Sequence, residues 1–446
     1  MISFSEYYQI IEEGGAYGHM ANIYEDTSLT FRELKNLVDG LLSGKIEADF
    51  KEKTDGQALA VSMKNGNVIF ARNKGQLKNG GEKAMRLNDV LKTFEGRGDL
   101  TDAFSYAAKD ITAALSKLPP KTQEARFNDG HRWLNFEIIW PETTNVIPYD
   151  LRVIKLHNFI EYDDDGNAVD SDFDDFAVQI ARDLESVNAT IQKKFTIGTM
   201  PRVKLAKIKD FSEKQDQYTN ALDALQKQFN LMDSNTLGDL YEAHYRQIVA
   251  NAAQEYGYTP PGDIVNALVN RWVYNTKKPS IAEIKRSITD NDFSQWVVNH
   301  DKVDHKTTFA DVREPIKSMF INVATDVIRN MSEFLAASPD ESMQHLVRRL
   351  KNVEQKIRAT GDETLINQID RELRYIEKAG GFDSVFPTEG LTFAIKRGDD
   401  PHPYVYKLTG TFAPVNQILG KEPGRFVKET SSSYTKRDWM GVTGPF

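Results

Sequence analysis

The sequence predicts an α+β fold in which mostly antiparallel sheets are combined with a large inserted α-helical domain. Two apolar runs, 58–63 and 68–72, flank Asn65-Gly66, and an Asn-Gly pair in this position is a strong hairpin signal. Further strand patterns follow over 133–162. From about residue 211 to 380, apolar residues recur almost throughout at helical spacing.

A helix is predicted directly before the first strand. Thr30 and Glu33 have the spacing of a capping box, and Gly44 is placed to end the helix. A second helix, from Thr101 to the stop at Pro119-Pro120, carries its apolar residues on one face. Both helices are interpreted as structural elements of the core.

Composition limits the classes of function. A chain of 446 residues with 40% hydrophobic residues is long enough for two or three domains. The absence of cysteine excludes disulfides and thiolate metal sites and fits a reducing compartment. No apolar run reaches membrane-spanning length, so we expect a cytoplasmic protein without a membrane partner. The net charge of −9 counts modestly against a tight nonspecific polynucleotide binder, but not against an enzyme that binds a few nucleotides.

The sequence Lys53-Thr54-Asp55-Gly56 is the main candidate for chemistry. A lysine ammonium becomes a nucleophile only when desolvation or a neighbouring cation lowers its pKa, and Lys51 lies two residues away on the same face of a strand. Gly56 would let a ligand or backbone approach closely. The alternative interpretation is an ordinary surface turn, because Asp-Gly is common at hairpin tips.

Several segments together resemble the covalent nucleotidyltransferase superfamily, which contains ATP-dependent RNA and DNA ligases and mRNA capping enzymes. Lys53-Thr54-Asp55-Gly56 matches the family's K-x-D-G motif. The other matching segments are 71–75 (ARNKG), 134–139 (LNFEII), 156–160 (LHNFI), 389–393 (EGLTF) and 405–408 (VYKL). The likeness is closest to phage-type RNA ligases, and it implies a ligase-type core of antiparallel sheets.

The resemblance assigns a role to each matched position. It implies that Lys53 attacks the α-phosphate of ATP and carries AMP, and that Mg²⁺ or Mn²⁺ is held at Glu137 and Glu389. It also implies a set of nucleotide-binding residues: Glu52, Asp55, Gly56, Arg72, Glu137, Phe159, His157, Glu389, Lys396 and Lys407. Phe159 and His157 are alternatives for the side chain that stacks on the purine.

Two features depart from the family pattern. Val405 stands where the family often has a first lysine in its last motif, and Lys396 or Arg397 is the suggested replacement. About forty residues follow Lys407, too few for the appended OB-fold of DNA ligases and capping enzymes. This shortness favours the RNA-ligase branch.

The resulting prediction is an ATP-dependent RNA ligase for repair, acting in the cytoplasm, or in the host cytoplasm if it is phage-encoded. Its partner would be RNA with 5′-phosphate and 3′-hydroxyl ends. Two alternatives remain: a nucleotidyltransferase with a protein or small-molecule acceptor, and a catalytically inactive nucleotide-binding protein. The predicted organisation is a core over 1–170, a mostly helical insertion over 171–384, the last core strands over 385–420, and a polar tail over 421–446.

Three further segments each have a functional and a structural interpretation. The basic, glycine-rich stretch from Lys74 to Gly81 either cradles phosphate or is merely solvated. The segment 163–167 (DDDGN) looks like a calcium loop, but it lacks the ligand spacing of an EF-hand and is interpreted as a hairpin turn. The basic side chains of 348–358 either hold a nucleic-acid backbone or form an ordinary charged helix face.

Overall fold

The structure is a computed structural model that describes residues 20–143, 146–172, 179–180, 182–184, 194–200, 202–331, 340–397 and 404–423. Most of the predicted polar tail, 424–446, therefore lies outside the described residues. The described strands are β1 (Ala21–Asn22), β2 (Asp49–Lys53), β3 (Gln57–Lys64), β4 (Asn67–Ala71), β5 (Arg132–Ile139), β6 (Val153–Tyr162), β7 (Ala168–Asp172), β8 (Thr196–Thr199), β9 (Arg202–Val203), β10 (Gly390–Ile395) and β11 (Tyr404–Leu408).

Helices account for much of the remaining described chain. They are α1 (Phe31–Ser43), α2 (Lys74–Gly81), α3 (Leu87–Phe94), α4 (Asp99–Leu115), α5 (Pro120–Phe127), α6 (Phe211–Phe229), α7 (Leu237–Glu255), α8 (Gly262–Tyr274), α9 (Ile281–Ser287), α10 (Asn291–Asn299), α11 (His305–Arg329), α12 (Asp340–Ala359), α13 (Glu363–Lys378) and α14 (Phe412–Gly420). The predicted α+β class is confirmed at this level.

The chain divides into two compact units. The first contains Ala48–Lys204 and Met331–Pro445, and the second contains Ala21–Glu47 and Leu205–Asn330. The predicted insertion over 171–384 is therefore divided between the two units. Helix α1, assigned to the core from the sequence, belongs to the second unit, which is called the helical unit below. The reason is packing that the sequence pattern does not encode: the apolar stripes of α12 and α13 share a buried cluster with α14.

The first unit contains two groups of paired strands. One follows the order β11-β10-β2-β9, and the other follows β4-β3-β5-β6-β7, with β8 parallel to β6. The remaining pairs within these two groups are antiparallel. The predicted β3–β4 hairpin is confirmed, and Asn65 and Gly66 take the positive φ values, 49° and 70°, of its two-residue turn.

The second sheet has a different environment on each face. Leu59, Val61 and Phe136 face a large apolar cluster that also contains residues of α3, α4 and α5. Ala60 and Trp133, which lie an odd number of positions away on the same strands, belong to a smaller cluster. Because side chains alternate along a strand, the β5 side chain Glu137 falls on the second face, where polar groups meet.

The helical unit is stabilised by caps and by one polar cluster. Thr30 accepts a hydrogen bond from the Glu33 amide, which confirms the predicted capping box, and Gly44 ends α1 with a φ of 68°. Asp301, in a single π-helical turn, accepts hydrogen bonds from the Arg271 guanidinium at 2.6 Å and the Trp272 indole at 3.1 Å.

Candidate active site

Lys53 lies at the end of β2, where the chain leaves one sheet for the other. Thr54, Asp55 and Gly56 form the link, and β3 begins at the next residue. Opposite Lys53, β10 begins with Gly390, whose φ is 143°, and a Cβ added there would lie 2.1 Å from a backbone oxygen of β11. Only glycine fits this position without a shift in the backbone.

Glu389 meets Lys53 through both backbone and side chain. The Glu389 amide donates to the Lys53 carbonyl at 3.1 Å, and the Glu389 Oε1 atom is 2.6 Å from Lys53 Nζ. The two side chains are 14% and 18% exposed, so this ion pair is largely desolvated yet still open to a ligand. Residues 336 positions apart in the sequence are thus joined by strand register.

Glu137, a residue of β5 in the second sheet, lies close to Lys53. The Gly56 amide donates to Glu137 Oε1 at 2.5 Å, and a Cβ on Gly56 would lie 2.7 Å from Glu137 Cγ. His157 contacts the other carboxylate oxygen of Glu137 through Nε2. His157 is turned towards Glu137 by a β-bulge, since the β5–β6 register skips this residue.

Asp55 fixes the link between the sheets. Its Oδ2 atom accepts hydrogen bonds from the amides of Val146 and Ile147 at 2.6 and 3.0 Å. Its own amide donates to the Tyr149 hydroxyl at 2.9 Å. The Asp-Gly pair thus has a positioning role: Asp55 is held by three hydrogen bonds, and Gly56 passes close beneath Glu137.

Two further cations share the face of Lys53. Register places Thr392 opposite Lys51 on one side and opposite Lys407 on the other, so the three lie in one row across the sheet. Lys51 Nζ donates to the His157 carbonyl at 3.1 Å. Lys53 and Lys51 are two residues apart on one strand and therefore point to the same side.

The electrostatics of the site are dominated by carboxylates. Burial by itself lowers the pKa of the Lys53 ammonium, but Glu389, Glu137 and Asp55 together raise that pKa above its ordinary value. Burial raises the pKa of the Glu389 carboxyl, and nearby Asp55 and Glu137 add to the effect against the opposing pull of Lys53. Burial also acts to raise the pKa of Glu137, but contact with His157 and the charge of Lys53 lower it overall.

This balance corrects the expectation that Lys51 lowers the pKa of Lys53. In the free protein the neighbouring carboxylates outweigh the effect of burial and raise the pKa of Lys53, so Lys53 is a protonated ammonium at neutral pH. Lys53 can act as a nucleophile only after it transfers a proton, and Glu389 is in direct contact with it.

Two other predicted nucleotide contacts lie on faces away from this cluster. Strand alternation turns Glu52 to the side opposite Lys53, where it pairs with Leu391 and is buried. The guanidinium of Arg72 lies 4.8 Å from the centre of the Phe104 ring, on the side of the large apolar cluster. These placements argue against the predicted nucleotide roles of Glu52 and Arg72.

Phe159 and Lys396 are also placed apart from the cluster. Phe159 is buried in the large apolar cluster, so of the two alternatives only His157 meets Glu137. Lys396 is exposed and lies just beyond the end of β10. At about 3.3 Å per residue it is about 20 Å along the chain from Gly390, which argues against a contact with a phosphate at Lys53.

The predicted metal ligands fit a hard cation by chemistry. Glu137, Glu389 and Asp55 surround one lysine, and carboxylate oxygens together with substrate phosphates are the usual ligands of Mg²⁺. Within the described residues, no group of three or more acidic or histidine side chains is arranged to hold a metal by itself. Magnesium binding at Glu137 and Glu389 therefore stays a prediction.

The segment 163–167 is a hairpin turn, as predicted. The turn connects β6 to β7, and within it the Asp163 side chain accepts a hydrogen bond from the Asn167 amide at 2.7 Å. In the neighbouring basic stretch, the Lys74 side chain donates to Asn167, and Lys64 donates to the carbonyls of Asn79 and Gly80. These contacts favour a structural role for the stretch over a phosphate cradle.

The basic face of α12 is largely neutralised within the protein. Arg349 and Lys356 both bind Glu422, at 3.0 and 3.1 Å, and Arg358 binds Glu354 and Asp370. This arrangement matches the ordinary charged helix face rather than a nucleic-acid surface.

Sequence reasoning missed residues that the fold adds to the site. Tyr149 had no local signal, because its contact with Asp55 spans 94 positions. Lys155 is paired with Glu137 across β5 and β6, and the alternation Ile154, Lys155, Leu156 could have indicated it.

Comparison with models of known protein families, with curated proteins and with solved structures finds no match for this chain. Among the described helices, none combines the length and the apolar character needed to cross a lipid bilayer.

Proposed function

We propose that this protein is an ATP-dependent nucleotidyltransferase that forms a covalent lysyl-AMP on Lys53 and passes the AMP to RNA as a ligase. The observation that carries the proposal is the Lys53–Glu389 ion pair beside Glu137 and Asp55. Four segments that resemble family motifs meet there, namely 53–56, 134–139, 156–160 and 389–393. A fifth, 405–408, places Lys407 in one row with Lys51 on the same face of the sheet.

The first step would be adenylation of the lysine. Lys53 Nζ gives one proton to the Glu389 carboxylate, and its lone pair attacks the α-phosphorus of ATP in line. The Nζ–P bond forms as the bond between the α-phosphorus and its bridging oxygen breaks, and pyrophosphate leaves with that electron pair. The nitrogen releases its second proton to solvent as the phosphoamide forms.

The surrounding residues would bind and orient the nucleotide. Lys407 and Lys51 lie on the face of Lys53 and would offset phosphate charge, as preorganised cations do in phosphoryl transfer. His157 lies at the edge of the site, where it could stack on a base. Glu137, together with Glu389 until it accepts the Lys53 proton, would hold Mg²⁺, and this ion would supply positive charge against the phosphates.

The RNA acceptor rests on the resemblance to RNA ligases. One observation favours the second candidate, a nucleotidyltransferase with a protein or small-molecule acceptor: the basic side chains of α12 are already neutralised by acidic residues. The two candidates share the lysyl-AMP step and differ only in the molecule that receives AMP.

The test is to incubate the protein with Mg²⁺ and ATP labelled at the α-phosphate, denature it, and measure retained label. We expect label on the wild type and on Lys396→Ala, which alters an exposed lysine away from the site, and none on Lys53→Ala. If the wild type retains no label, the incubation is repeated with GTP and with protein from which bound AMP has been removed. Persistent absence of label would refute the proposal and favour a nucleotide-binding protein without catalysis.

A further inference from the structure

Asn135 is a buried polar residue of β5 whose side chain is only partly satisfied. It is 6% exposed, and its Nδ2 group donates a hydrogen bond to Asn158 Oδ1 on β6. Among the described residues, none is placed to donate a hydrogen bond to Asn135 Oδ1. A buried acceptor without a donor is costly, so an atom of this kind indicates a ligand that supplies the missing N–H group.

Asn135 lies beside the candidate active site. Its two neighbours on β5 face the large apolar cluster, so strand alternation turns Asn135 to the same face as Glu137, about 7 Å along the strand. Asn158 directly follows His157, which contacts Glu137 through Nε2. The two asparagines therefore extend the polar face on which Glu137 lies close to Lys53.

Small side chains lie next to this polar face on the neighbouring strand. Ala60 of β3 is directly opposite Asn135, and Ala58 is directly opposite Glu137. Ala60 is buried in the smaller cluster with Leu77 of α2, whereas Ala58 is exposed. The face is therefore covered at the α2 end and accessible next to Glu137. Methyl groups protrude little from a sheet, which favours a planar ligand over them.

The order of groups along this face matches the order of groups in a nucleotide. Lys53 is the proposed attachment point for phosphorus, Glu137 comes next, and the asparagine pair lies beyond it. Phosphate, ribose and base are linked in the same order, so the asparagines lie on the side of the base. The pair presents one acceptor from Asn135 and N–H donors from Asn158. Adenine offers the complement, an amino donor at C6 beside a ring-nitrogen acceptor.

We propose that Asn135 and Asn158 recognise the base of the nucleotide and select adenine over guanine. This role rests on the nucleotidyl transfer argued above, and the family resemblance gives no role to either asparagine. Asn135 Oδ1 accepts a hydrogen bond from the amino group at C6, and Asn158 Nδ2 donates one to the adjacent ring nitrogen. Guanine places its O6 atom opposite Asn135 Oδ1, and two acceptors repel each other. Both asparagines therefore determine specificity and take no part in the chemical step.

The test measures equilibrium binding to the full chain by calorimetry, on protein from which bound AMP has been removed. The probes are AMP, GMP and purine riboside 5′-monophosphate, which is AMP without its amino group. None of them carries a pyrophosphate to expel, so they bind without reacting with Lys53. The variants are Asn135→Leu, which keeps the branched shape, and Asn158→Ala. The matched control is Asn322→Leu in α11, where the amide oxygen likewise has no partner among the described residues.

We expect the wild type to bind AMP about tenfold more tightly than purine riboside monophosphate, the effect of one hydrogen bond to a buried acceptor. In Asn135→Leu this preference should fall to within about twofold, because the amino group has lost its acceptor. Asn158→Ala should reduce the preference for AMP over GMP, and Asn322→Leu should leave both ratios unchanged. Affinity ratios within one variant do not change if part of the protein is unfolded.

Equal binding of AMP and purine riboside monophosphate by the wild type would overturn this role, as would a wild-type ratio in Asn135→Leu. Failure of all three monophosphates to bind would overturn it as well. The adduct assay with labelled ATP decides the proposed function separately. A labelled Lys53 adduct together with an unchanged ratio in Asn135→Leu rejects the role of the asparagines alone. A lowered ratio in a protein that never forms an adduct rejects the lysyl-AMP step alone.

Discussion

We predict that replacing Lys53 and replacing Glu389, the two members of the buried ion pair, lower the free energy of unfolding by different amounts. Removing one partner of a buried ion pair costs about 3–5 kcal/mol, because the other charge is left desolvated. In Lys53→Met, the three carboxylates Glu389, Glu137 and Asp55 lose their common cation, so the full cost is expected. In Glu389→Gln, the lysine keeps two carboxylates, and the cost falls to about 1–3 kcal/mol.

The assay is a double-mutant cycle. The free energy of unfolding is measured by urea titration at pH 7 for the wild type, Lys53→Met, Glu389→Gln and the double variant. Because the chain has two compact units, hydrogen exchange of the β2 and β10 amides is measured in parallel as a local reading. Removing both partners leaves no unpaired member of this pair, so the double variant should be more stable than the sum of the single losses predicts, by at least about 1 kcal/mol.

Two results would contradict the reasoning. One is a larger loss in Glu389→Gln than in Lys53→Met, since it would mean that the carboxylates do not depend on this lysine. The other is additivity of the two losses within about 0.3 kcal/mol, since independent sites add and contacting ones do not.

Three further predictions concern other parts of the chain. Gly56→Ala should abolish the lysyl-AMP adduct and cost about 1–3 kcal/mol in urea unfolding, because its Cβ would lie 2.7 Å from Glu137 Cγ; a labelled adduct at wild-type level would contradict this. Burial acts to raise the pKa of Asp301, but hydrogen bonds from Arg271 and Trp272 lower it overall, so its stabilising effect is present above about pH 4 and is lost as the pH falls further. Asp301→Asn should therefore cost about 1–2 kcal/mol at pH 7 and less at pH 3 in urea titrations, and a gap that stays constant would argue against the pair. Thr30→Ala should lower the free energy of unfolding by about 1 kcal/mol through loss of the α1 cap, whereas an unchanged value would mean that the cap contributes little.

Local features of the chain could be predicted from the sequence because short-range forces determine them. Asn65 and Gly66 tolerate the positive φ values of a two-residue turn, and that requirement depends on only four residues. The cap of α1 at Thr30 and its end at Gly44 are equally local. The convergence of Lys53, Glu137 and Glu389 was indicated only by the family resemblance, since no local pattern links positions so far apart.

The face on which each candidate side chain lies was decided by the tertiary structure. A strand of known residues can present either set of alternate side chains to a site, and the choice depends on which partner it pairs with. Pairing of β2 with β10 buries Glu52 opposite Lys53, the apolar cluster under β4 holds Arg72, and a bulge in β6 brings His157 rather than Phe159 to Glu137.

The division into two units has the same origin. The sequences of α12 and of the helices over 205–330 both have an amphipathic pattern. Hydrophobic burial is non-directional, so this pattern predicts that one face of each helix is buried but does not predict which element packs against it. The sequence by itself determined which residues are apolar enough to be buried and which local turns the chain forms. Long-range register and packing decided which carboxylates surround Lys53 and whether its ammonium keeps its proton.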